Sequence, residues 1–545
     1  MGLNKVFNKV ILISIPIIII SFSPFISYDP FNISKFFTLS VFGVIIGCLL
    51  LMQLNQLSKL KEKWAVFLVI IFVFWGFISL IFSPIKLTDG LFGLPGRHTG
   101  VFTYLFLSIY FVAILLITDN KFYSSLIKTL YLTALIAMLY GFLQTVNLDP
   151  VNWSSPSPAA FSFFGNQNFL SAFIGIVSVS GLGYLFSKMT QKKHKSVILI
   201  FTLFSLLLTN FTDSTQGYLI FLVGLSVIIL IWLKHQEKYS RYLTIIIGFF
   251  VSGIILVVSD LLQKTPWPSV LYEPSVSARG DFWRSAWRMS LENPVFGVGL
   301  DGFVDYYRLH RDLSAVLARG SEIRTDSAHN IFLELLSGGG FPLLIIFISI
   351  VILVLIRSIS YIKQSNDFDP IHSGLFAGWI AFMVQASISI NQIGLALTGW
   401  ALSGALIGYQ NQSEQINRLN SSKLKPKNIA AIFLATSVGL GIGTPPLVVD
   451  AKFREALFKS DVAQLVDISD DWPINSDRIS TIGGVLRLNG YPNEAIEVLR
   501  KGIEFNPNHF ETWRELSLCK SISESERKLA EEKMKELDPF GFGAA

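Results

Sequence analysis

VILISIPIIIISFSPF, residues 10–25, is a run of apolar side chains interrupted only by serine and proline. Comparable runs recur along the chain as far as residue 446. A helix needs about 20 such residues to cross about 30 Å of hydrocarbon, so each run is long enough for a membrane span. The first run resembles a signal peptide, but no small-residue cleavage site follows it and further apolar runs do. We therefore interpret it as the first of many spans.

The composition agrees with a polytopic membrane protein. Of 545 residues, 51% are apolar and only 15% are charged, whereas about 25% charged residues is usual for a soluble domain. The net charge of +6 is explained by lysines in loops, so nucleic-acid binding is not indicated. The two cysteines, Cys48 in a span and Cys519 near the C-terminus, indicate neither a disulfide framework nor a metal cluster.

The pattern of spans predicts an all-α fold, a bundle of about 12–13 transmembrane helices. The expected spans are 9–27, 36–55, 64–83, 101–118, 125–146, 168–187, 196–209, 217–233, 242–260, 331–356, 371–390, 394–408 and 428–446. The short loops on one predicted side carry 17 Lys and Arg, and those on the other side carry 3. Because Lys and Arg concentrate in cytoplasmic loops, the N-terminus is expected inside and the long loop 261–328 outside.

Two domains are predicted, a transmembrane domain over residues 1–446 and a soluble helical domain over 447–545. If 428–446 is a span, this second domain lies outside as well. Residues 476–507 fit a tetratricopeptide repeat, a pair of helices with small and apolar residues at fixed positions. The matching residues are Gly483, Ala495, Leu499, Gly502 and Pro507. A second unit begins at Trp513 and then degenerates, so we expect one helical-pair module and no long solenoid.

Three of the predicted external segments carry unusual polar residues. GLPGRHTG (93–100) contains Arg97, FFGNQNFL (163–170) contains Asn168, and NFTDSTQGY (210–218) contains Asp213 and Gln216. Each also has a purely structural interpretation, because glycines make turns and short polar side chains cap helices. We favour helix capping for Asp213 and leave both interpretations open for Asn168.

The long loop is rich in arginine, while lysine dominates the cytoplasmic loops. It holds seven of the chain's 17 arginines, which are Arg279, Arg284, Arg288, Arg308, Arg311, Arg319 and Arg324. Arginine presents a planar fork that binds phosphate oxygens bidentately. The loop also holds eight acidic residues, so we expect ion pairs for at least half of these arginines, among them an i,i+4 pair of Arg288 with Glu292.

A helix is predicted over residues 279–291 of this loop. Trp283 and Trp287 share one of its faces, and Arg284 and Arg288 share an adjacent one. Such a helix is typical of the membrane interface, with tryptophan at the level of the headgroups. Alternatively it forms a gate for a lipid-borne substrate, with Arg279 or Arg284 reaching the phosphates.

The stretch TDSAHNIFLELLSGGG, residues 325–340, places His329 at the entrance of a span. With an ordinary pKa of about 6.5, histidine is suited to accept a proton at neutral pH. Asp326, three residues earlier on the same helical face, is expected to fix the tautomer of the ring. The alternative is an interfacial histidine that only makes hydrogen bonds. His98 and His310 lack partners at metal-ligand spacing, so no metal site is expected.

Taken in order, these motifs resemble the O-antigen ligase/O-antigen polymerase superfamily of bacterial envelope glycosyltransferases. The resemblance rests on GRHTG, GNQN, DSTQG, ARGDFWRSAWRMSLENPVFGVGLDGF and DSAHN, and it covers roughly residues 90–410. One departure from the family pattern is Thr215-Gln216-Gly217, where Ser-Arg-Gly is frequent. Glutamine donates a hydrogen bond but brings no charge to a diphosphate.

The resemblance implies an inverting glycosyltransferase that takes a glycan from a polyprenyl diphosphate on the outer face of the cytoplasmic membrane. It implies His329 as the catalytic base and Arg279 as the leading phosphate ligand. The remaining substrate-binding candidates are Arg97, Arg284, Arg288, Gln216 and Asn168. Neither a cofactor nor a metal is expected in such an enzyme.

Several partners and two other functions stay open. The acceptor is a lipid A core, a growing glycan or a protein hydroxyl, the last in a protein O-oligosaccharyltransferase variant of the same family. The helical-repeat segment within residues 447–545 favours either polymerisation or a protein-associated role with an additional protein partner, by analogy with other repeat domains. The alternatives are a small-solute transporter, which needs ionisable residues at the bilayer midplane, and an inactive scaffold that presents the repeats.

Overall fold

The architecture is known from a computed structural model that describes residues 2–53, 62–117, 119–153, 159–236, 274–410 and 425–542, with isolated positions between 239 and 259. These residues form α-helices, one short 3-10 turn and the loops between them. The prediction of an all-α helical bundle is therefore confirmed.

Helices of the first half of the bundle begin and end as follows. They are α1 (Leu3–Ile20), α2 (Asn32–Leu51), α3 (Lys63–Phe82), α4 (Leu87–Phe92), α5 (Val101–Leu115), α6 (Asn120–Thr145), α7 (Gln167–Phe186), α8 (Lys192–Asn210) and α9 (Gln216–Lys234). The long loop contains α10 (Pro274–Glu292), α11 (Phe303–His310) and α12 (Leu313–Arg319). Then follow α13 (Ile331–Gln364), α14 (Pro370–Ile388), α15 (Ile393–Gln410) and α16 (Pro426–Lys459).

The C-terminal module consists of the five helices after α16. They are α17 (Val462–Ile468), α18 (Ser476–Leu488), α19 (Pro492–Phe505), α20 (Phe510–Ser517) and α21 (Glu524–Leu537). Their apolar core includes Val449 and Phe453 from the last turns of α16. The module is thus built directly on the end of that helix.

Twelve of the thirteen predicted spans coincide with one helix each. The remaining one, 242–260, falls almost wholly outside the described residues. In the described part of the chain, nine helices are long and apolar enough to cross a membrane. Three of the twelve helices that match predicted spans are not in this set, namely α5, α8 and α15. Helix α16 continues well past residue 446 and ends at Lys459.

One end of the bundle, which we call the loop face, gathers the predicted external loops. Asn32 donates to the Gly96 carbonyl over 2.6 Å, and Asn330 donates to the Ser387 carbonyl over 3.0 Å. Lys35, fully buried, donates to three backbone carbonyls, among them that of Phe163 over 2.7 Å. These bonds tie the loops of this face together, so distant segments reach a common site.

The C-terminal module is docked onto the long loop through buried charges. Arg308 donates to Glu511 over 2.9 Å and to Asp538 over 3.2 Å. Arg311 also binds Asp538, and the side chains of both are 1% exposed. Because unpaired buried charges are strongly unfavourable, these pairs hold the module and the loop in one fixed arrangement.

Candidate functional site

His329 lies on the loop face immediately before α13. Its Nδ1 donates to the Ser327 carbonyl over 3.1 Å, which assigns the ring proton to Nδ1 and leaves the Nε2 lone pair as an acceptor. Its backbone has φ 54°, a left-handed conformation that histidine adopts more readily than most residues. The Phe282 ring lies 5.3 Å from the imidazole, centroid to centroid.

Burial lowers the pKa of His329, because removal from water disfavours the imidazolium. The Ser327 carbonyl and the Asp326 charge act in the opposite direction, while the positive charges of Arg279 and Arg97 lower the pKa further. The ring is therefore neutral at pH 7. A neutral imidazole with an available Nε2 is the form that accepts a proton from a hydroxyl group.

Asp326 does not fix the tautomer as predicted from the sequence. Residues 325–330 form a loop, so there is no helical face for Asp326 and His329 to share. The backbone carbonyl of Ser327 takes the proposed role. Asp326 instead presents its own carbonyl to Arg97 Nη1, at 2.6 Å.

A buried chain of polar contacts holds the backbone on both sides of His329. The Ser327 hydroxyl accepts from the His329 N–H over 3.0 Å and donates to Glu334 over 2.8 Å. The same Glu334 oxygen accepts from the Ala328 N–H over 3.0 Å. Its second oxygen lies 3.5 Å from Arg97 Nη2. These contacts fix the turn that holds the backbone of His329 in its left-handed conformation and thereby places the imidazole.

Arg97 is buried, with 5% of the residue exposed. It lies among Glu334, Asp326 and Asp301, the last 3.7 Å from its Nε. Burial opposes the charged form, but these three carboxylates outweigh it and raise the pKa of the guanidinium. The arrangement is that of an internal ion pair, and the accessible surface left for a phosphate is small.

Asp301 holds the loop that carries Arg97. Its carboxylate accepts from the Leu94 N–H over 3.1 Å, the Thr99 N–H over 2.9 Å and the Thr99 hydroxyl over 2.5 Å. Gly93 has φ 80°, and a Cβ there would lie 2.4 Å from the Asp301 carboxylate. The glycines of GLPGRHTG therefore do make a turn, and that turn is wrapped around an aspartate of the long loop.

The turn after α10 docks on the SGGG sequence of α13 through backbone hydrogen bonds. The Val298 N–H donates to Ser337 over 2.8 Å, the Gly299 N–H to Gly338 over 3.0 Å, and the Phe341 N–H to Pro294 over 2.9 Å. Gly340 interrupts α13 with φ 73°. This contact explains why a proline–glycine turn in the long loop is matched by a glycine run in α13.

The long-loop arginines are mostly engaged in ion pairs, as predicted. At least six of the seven have a carboxylate partner, among them Arg284, Arg288, Arg308, Arg311, Arg319 and Arg324. The predicted pair of Arg288 with Glu292 is wrong. Arg288 pairs with Asp312, and Glu292 lies 3.0 Å from His310, because α11 and α12 fold back along α10.

Arg279 and Arg284 both lie on α10 but in different surroundings. Arg279 is half-buried and its charge acts on His329. Arg284 is exposed, with its Nε 2.8 Å from Asp312 and a second contact to Asp281. The apolar face of α10, which includes Phe282, packs against α11, while Trp287 on the opposite side is 48% exposed.

Asn168 and Gln216 form a second cluster at the ends of α7 and α9. Asn168 accepts from the Ser214 hydroxyl over 2.7 Å, and Asn166 is the residue that caps α7. Gln216 is 7% exposed, and neither amide atom has a hydrogen-bond partner among the described residues. The capping role predicted for Asp213 is wrong, because Asp213 is exposed with φ 50° and Thr215 directly precedes α9.

Sequence reasoning missed Glu334, Ser327 and Asp301. Glu334 gives one available signal, since an acidic residue in the first turn of an apolar span is unfavourable without a partner. Asp301 and Ser327 lie in loops and carry no such signal. In the described part of the chain, no group of three His, Cys, Asp or Glu side chains is arranged to hold a metal ion.

Residues 197–348 match the family model of the O-antigen ligases. The matched segment runs from within α8 to the middle of α13. It contains Gln216, the three candidate arginines of α10 and His329, but not Arg97 or Asn168. No curated protein matches the chain. The resemblance to the O-antigen ligases is thus supported independently for the part that carries the proposed base.

Proposed function

We propose that this protein is a membrane glycosyltransferase of the O-antigen ligase type. It would transfer or polymerise a glycan carried by a polyprenyl diphosphate, with the loop face on the outside of the cytoplasmic membrane. The observation that carries the proposal is His329, a neutral ring whose proton is held on Nδ1. The family match of residues 197–348 supports the reaction class.

In the proposed reaction an acceptor hydroxyl attacks the anomeric carbon of the donor glycan. A new C–O bond forms while the bond from that carbon to the diphosphate breaks, with inversion. His329 Nε2 takes the hydroxyl proton, and the diphosphate leaves with the bonding electrons. Arg279, whose charge acts at the imidazole, would stabilise the negative charge that grows on the diphosphate.

The other candidate residues are proposed to have different roles in the reaction. Arg284 and Arg288 are exposed and share Asp312. Exposed pairs contribute only about 0–1 kcal/mol, so a diphosphate could replace that carboxylate. Arg97 is proposed as a positioning residue, because its guanidinium is buried among carboxylates. Gln216 and Asn168 remain proposed substrate ligands. The Gln216 amide has no hydrogen-bond partner among the described residues, so it is suited to hydrogen bonds with sugar hydroxyls.

A cell-based comparison tests the function. Cells lacking the native gene would express wild type, His329→Asn or Arg279→Gln at matched membrane levels, and their surface glycans would be profiled. Leu317→Ala is a suitable control, because Leu317 lies in the same loop and is 78% exposed. We expect wild type and the control to restore the product and both site variants to fail.

The same comparison identifies the acceptor, since the product is a modified lipid A core, a longer glycan or a glycosylated protein. Purified wild type should release the polyprenyl diphosphate from a lipid-linked donor when an acceptor is present. If the site variants restore product at the wild-type level, these residues are structural and the proposal fails.

A further inference from the structure

A cleft of about 650 Å³ lies on the loop face beside α16. Its walls come from the loop between α1 and α2, the loop after α6 and the last turns of α16. The lining side chains that matter here are Tyr28, Phe31, Asn152, Trp153, Arg454 and Phe458. The volume falls in the range of about 300–1,000 Å³ that is usual for ligand pockets.

The cleft extends outward from the start of α2, along the last turns of α16. Gly443 of α16 packs against Phe37, five residues inside the start of α2 at Asn32. At 1.5 Å per residue, Arg454 and Phe458 then lie about 9 Å and about 15 Å past that start. Phe31, the residue directly before α2, lies at the level of that start, so only the α16 side of the cleft projects past it.

The aromatic side of the cleft is rigid. The Trp153 indole donates from Nε1 to Asp149 over 2.9 Å. Its ring stacks on Phe31 with 5.1 Å between the centroids. A second aromatic surface is provided by Phe458, which is 79% exposed. The partly exposed Trp153 and Phe31 rings and the exposed Phe458 ring suit contact with the apolar C–H faces of sugar rings.

Arg454 supplies the charge of the cleft. Its Nη1 donates to the Phe25 carbonyl over 2.9 Å, and its guanidinium lies 4.9 Å from the centre of the Phe458 ring. No carboxylate lies within ion-pair distance of it among the described residues. The remaining N–H groups are thus available for hydroxyl or carboxylate oxygens, and the neighbouring Asn152 amide adds a donor and an acceptor.

We propose that this cleft binds a segment of the transferred saccharide chain, some sugar units away from the reacting carbon. The inference rests on the proposed function for its place in the reaction. Hydrogen bonds link the wall of the cleft to the candidate site. Asn32, next to Phe31, donates to the Gly96 carbonyl, and Arg97, next to Gly96, donates to the Asp326 carbonyl. A chain bound here could extend across the loop face toward His329.

The test uses the full-length protein purified in nanodiscs. The probe is the oligosaccharide released by mild acid from the lipid-linked glycans of the cells that encode the protein. Binding is measured by calorimetry and by saturation-transfer NMR for wild type, Arg454→Gln, Phe458→Ala and His329→Asn. Lys459→Ala is the matched control, because Lys459 is exposed on the same helix and does not line the cleft.

We expect the two cleft variants to raise the Kd for the oligosaccharide by at least about tenfold. Truncating the exposed Phe458 removes little packing, so this variant stays folded. His329→Asn and Lys459→Ala should bind like wild type. In a transfer assay with the intact lipid-linked donor, the cleft variants should also raise KM.

The outcomes separate this inference from the proposed function. Binding that depends on Arg454 and Phe458 without any transfer by wild type would support the cleft and overturn the function. Transfer by wild type with unchanged binding in both cleft variants would overturn the cleft alone. Equal competition by a polyprenyl phosphate that carries no sugar would also overturn it, since the cleft would then bind the lipid phosphate.

Discussion

Arg97 and Glu334, separated by 237 residues in the sequence, form a buried ion pair with 3.5 Å between Nη2 and Oε1. The pair joins the loop before α5 to the first turn of α13. Glu334 in turn holds Ser327 and Ala328. Neither charged side chain needs to touch a substrate to matter, because together they set the backbone that presents His329.

Glu334→Ala is expected to lower the free energy of unfolding by up to about 3–5 kcal/mol, since it removes the closest of the three carboxylates around the buried Arg97 charge. It should also abolish transfer, because Ser327 and Ala328 lose their acceptor. Thermal unfolding and transfer rate are the measurements. Glu322→Ala, at a side chain that is 76% exposed, should change neither. Wild-type transfer by Glu334→Ala would contradict the positioning role.

His329→Asn separates folding from chemistry. Asparagine is among the residues that best tolerate the left-handed conformation found here, so the loop should keep its shape while the base is lost. We expect normal membrane expression, a melting temperature close to that of wild type and no detectable transfer. Retained transfer in this variant would show that another group takes the proton.

The pH dependence of transfer should report the lowered pKa of His329. The base works when unprotonated, so the rate should stay high as the pH falls through 6.5, the ordinary value, and decline only below it. Arg279 contributes to the lowering by its charge. Arg279→Gln should therefore move the acid limb of the residual activity to higher pH, and an unmoved limb would contradict this coupling.

Gly340 tests the contact between α13 and the turn after α10. A Cβ there would lie 2.2 Å from the Val295 carbonyl, and the backbone φ is 73°. Gly320 has φ 97°, but a Cβ there would meet no atom of the described residues within 4 Å. Gly320→Ala should thus show the conformational cost alone, about 1–2 kcal/mol. Gly340→Ala should reduce folded protein much more, as measured by detergent-solubilised yield and melting temperature.

Much of the bundle was predictable because membrane spans leave a strong local signal. Apolar runs of helical length identified the helices, and the turn at Gly297, with φ 65°, follows from proline and glycine. The paired state of most loop arginines also follows from composition, since the loop holds eight acidic residues for its seven arginines. Each of these inferences depends on composition or on residues close in sequence.

The candidate site was less accessible to such reasoning, because its contacts join distant segments. Nothing near Arg97 in the sequence indicates that Glu334 and Asp301 surround it. The pairing of Arg288 with Asp312 depends on how α11 and α12 fold back. The tautomer of His329 depends on a backbone carbonyl that a helical interpretation of residues 325–330 hides.

The docking of the C-terminal module should weaken as the pH rises. Burial raises the pKa of Asp89 to about 7 and also raises that of Asp305. A carboxylate with a raised pKa destabilises the folded state increasingly from about pH 4 up to that pKa. The pKa of His509 is raised too. Burial opposes this shift, but Asp477 and Asp305 outweigh it, so its stabilising effect is lost as the pH rises past 6.5.

The contribution of Asp477 to docking depends on pH in the opposite direction. Burial would raise its pKa, but His509 and Arg324 lower it, so its contribution is lost only at acidic pH. Docking should therefore be tighter at pH 6 than at pH 8. Limited proteolysis between α16 and α18 should release the module faster at pH 8 than at pH 6. In Asp89→Asn, which removes one titrating group at the contact with Asn475, this difference should shrink. An equal release rate at both pH values in wild type would refute the expectation.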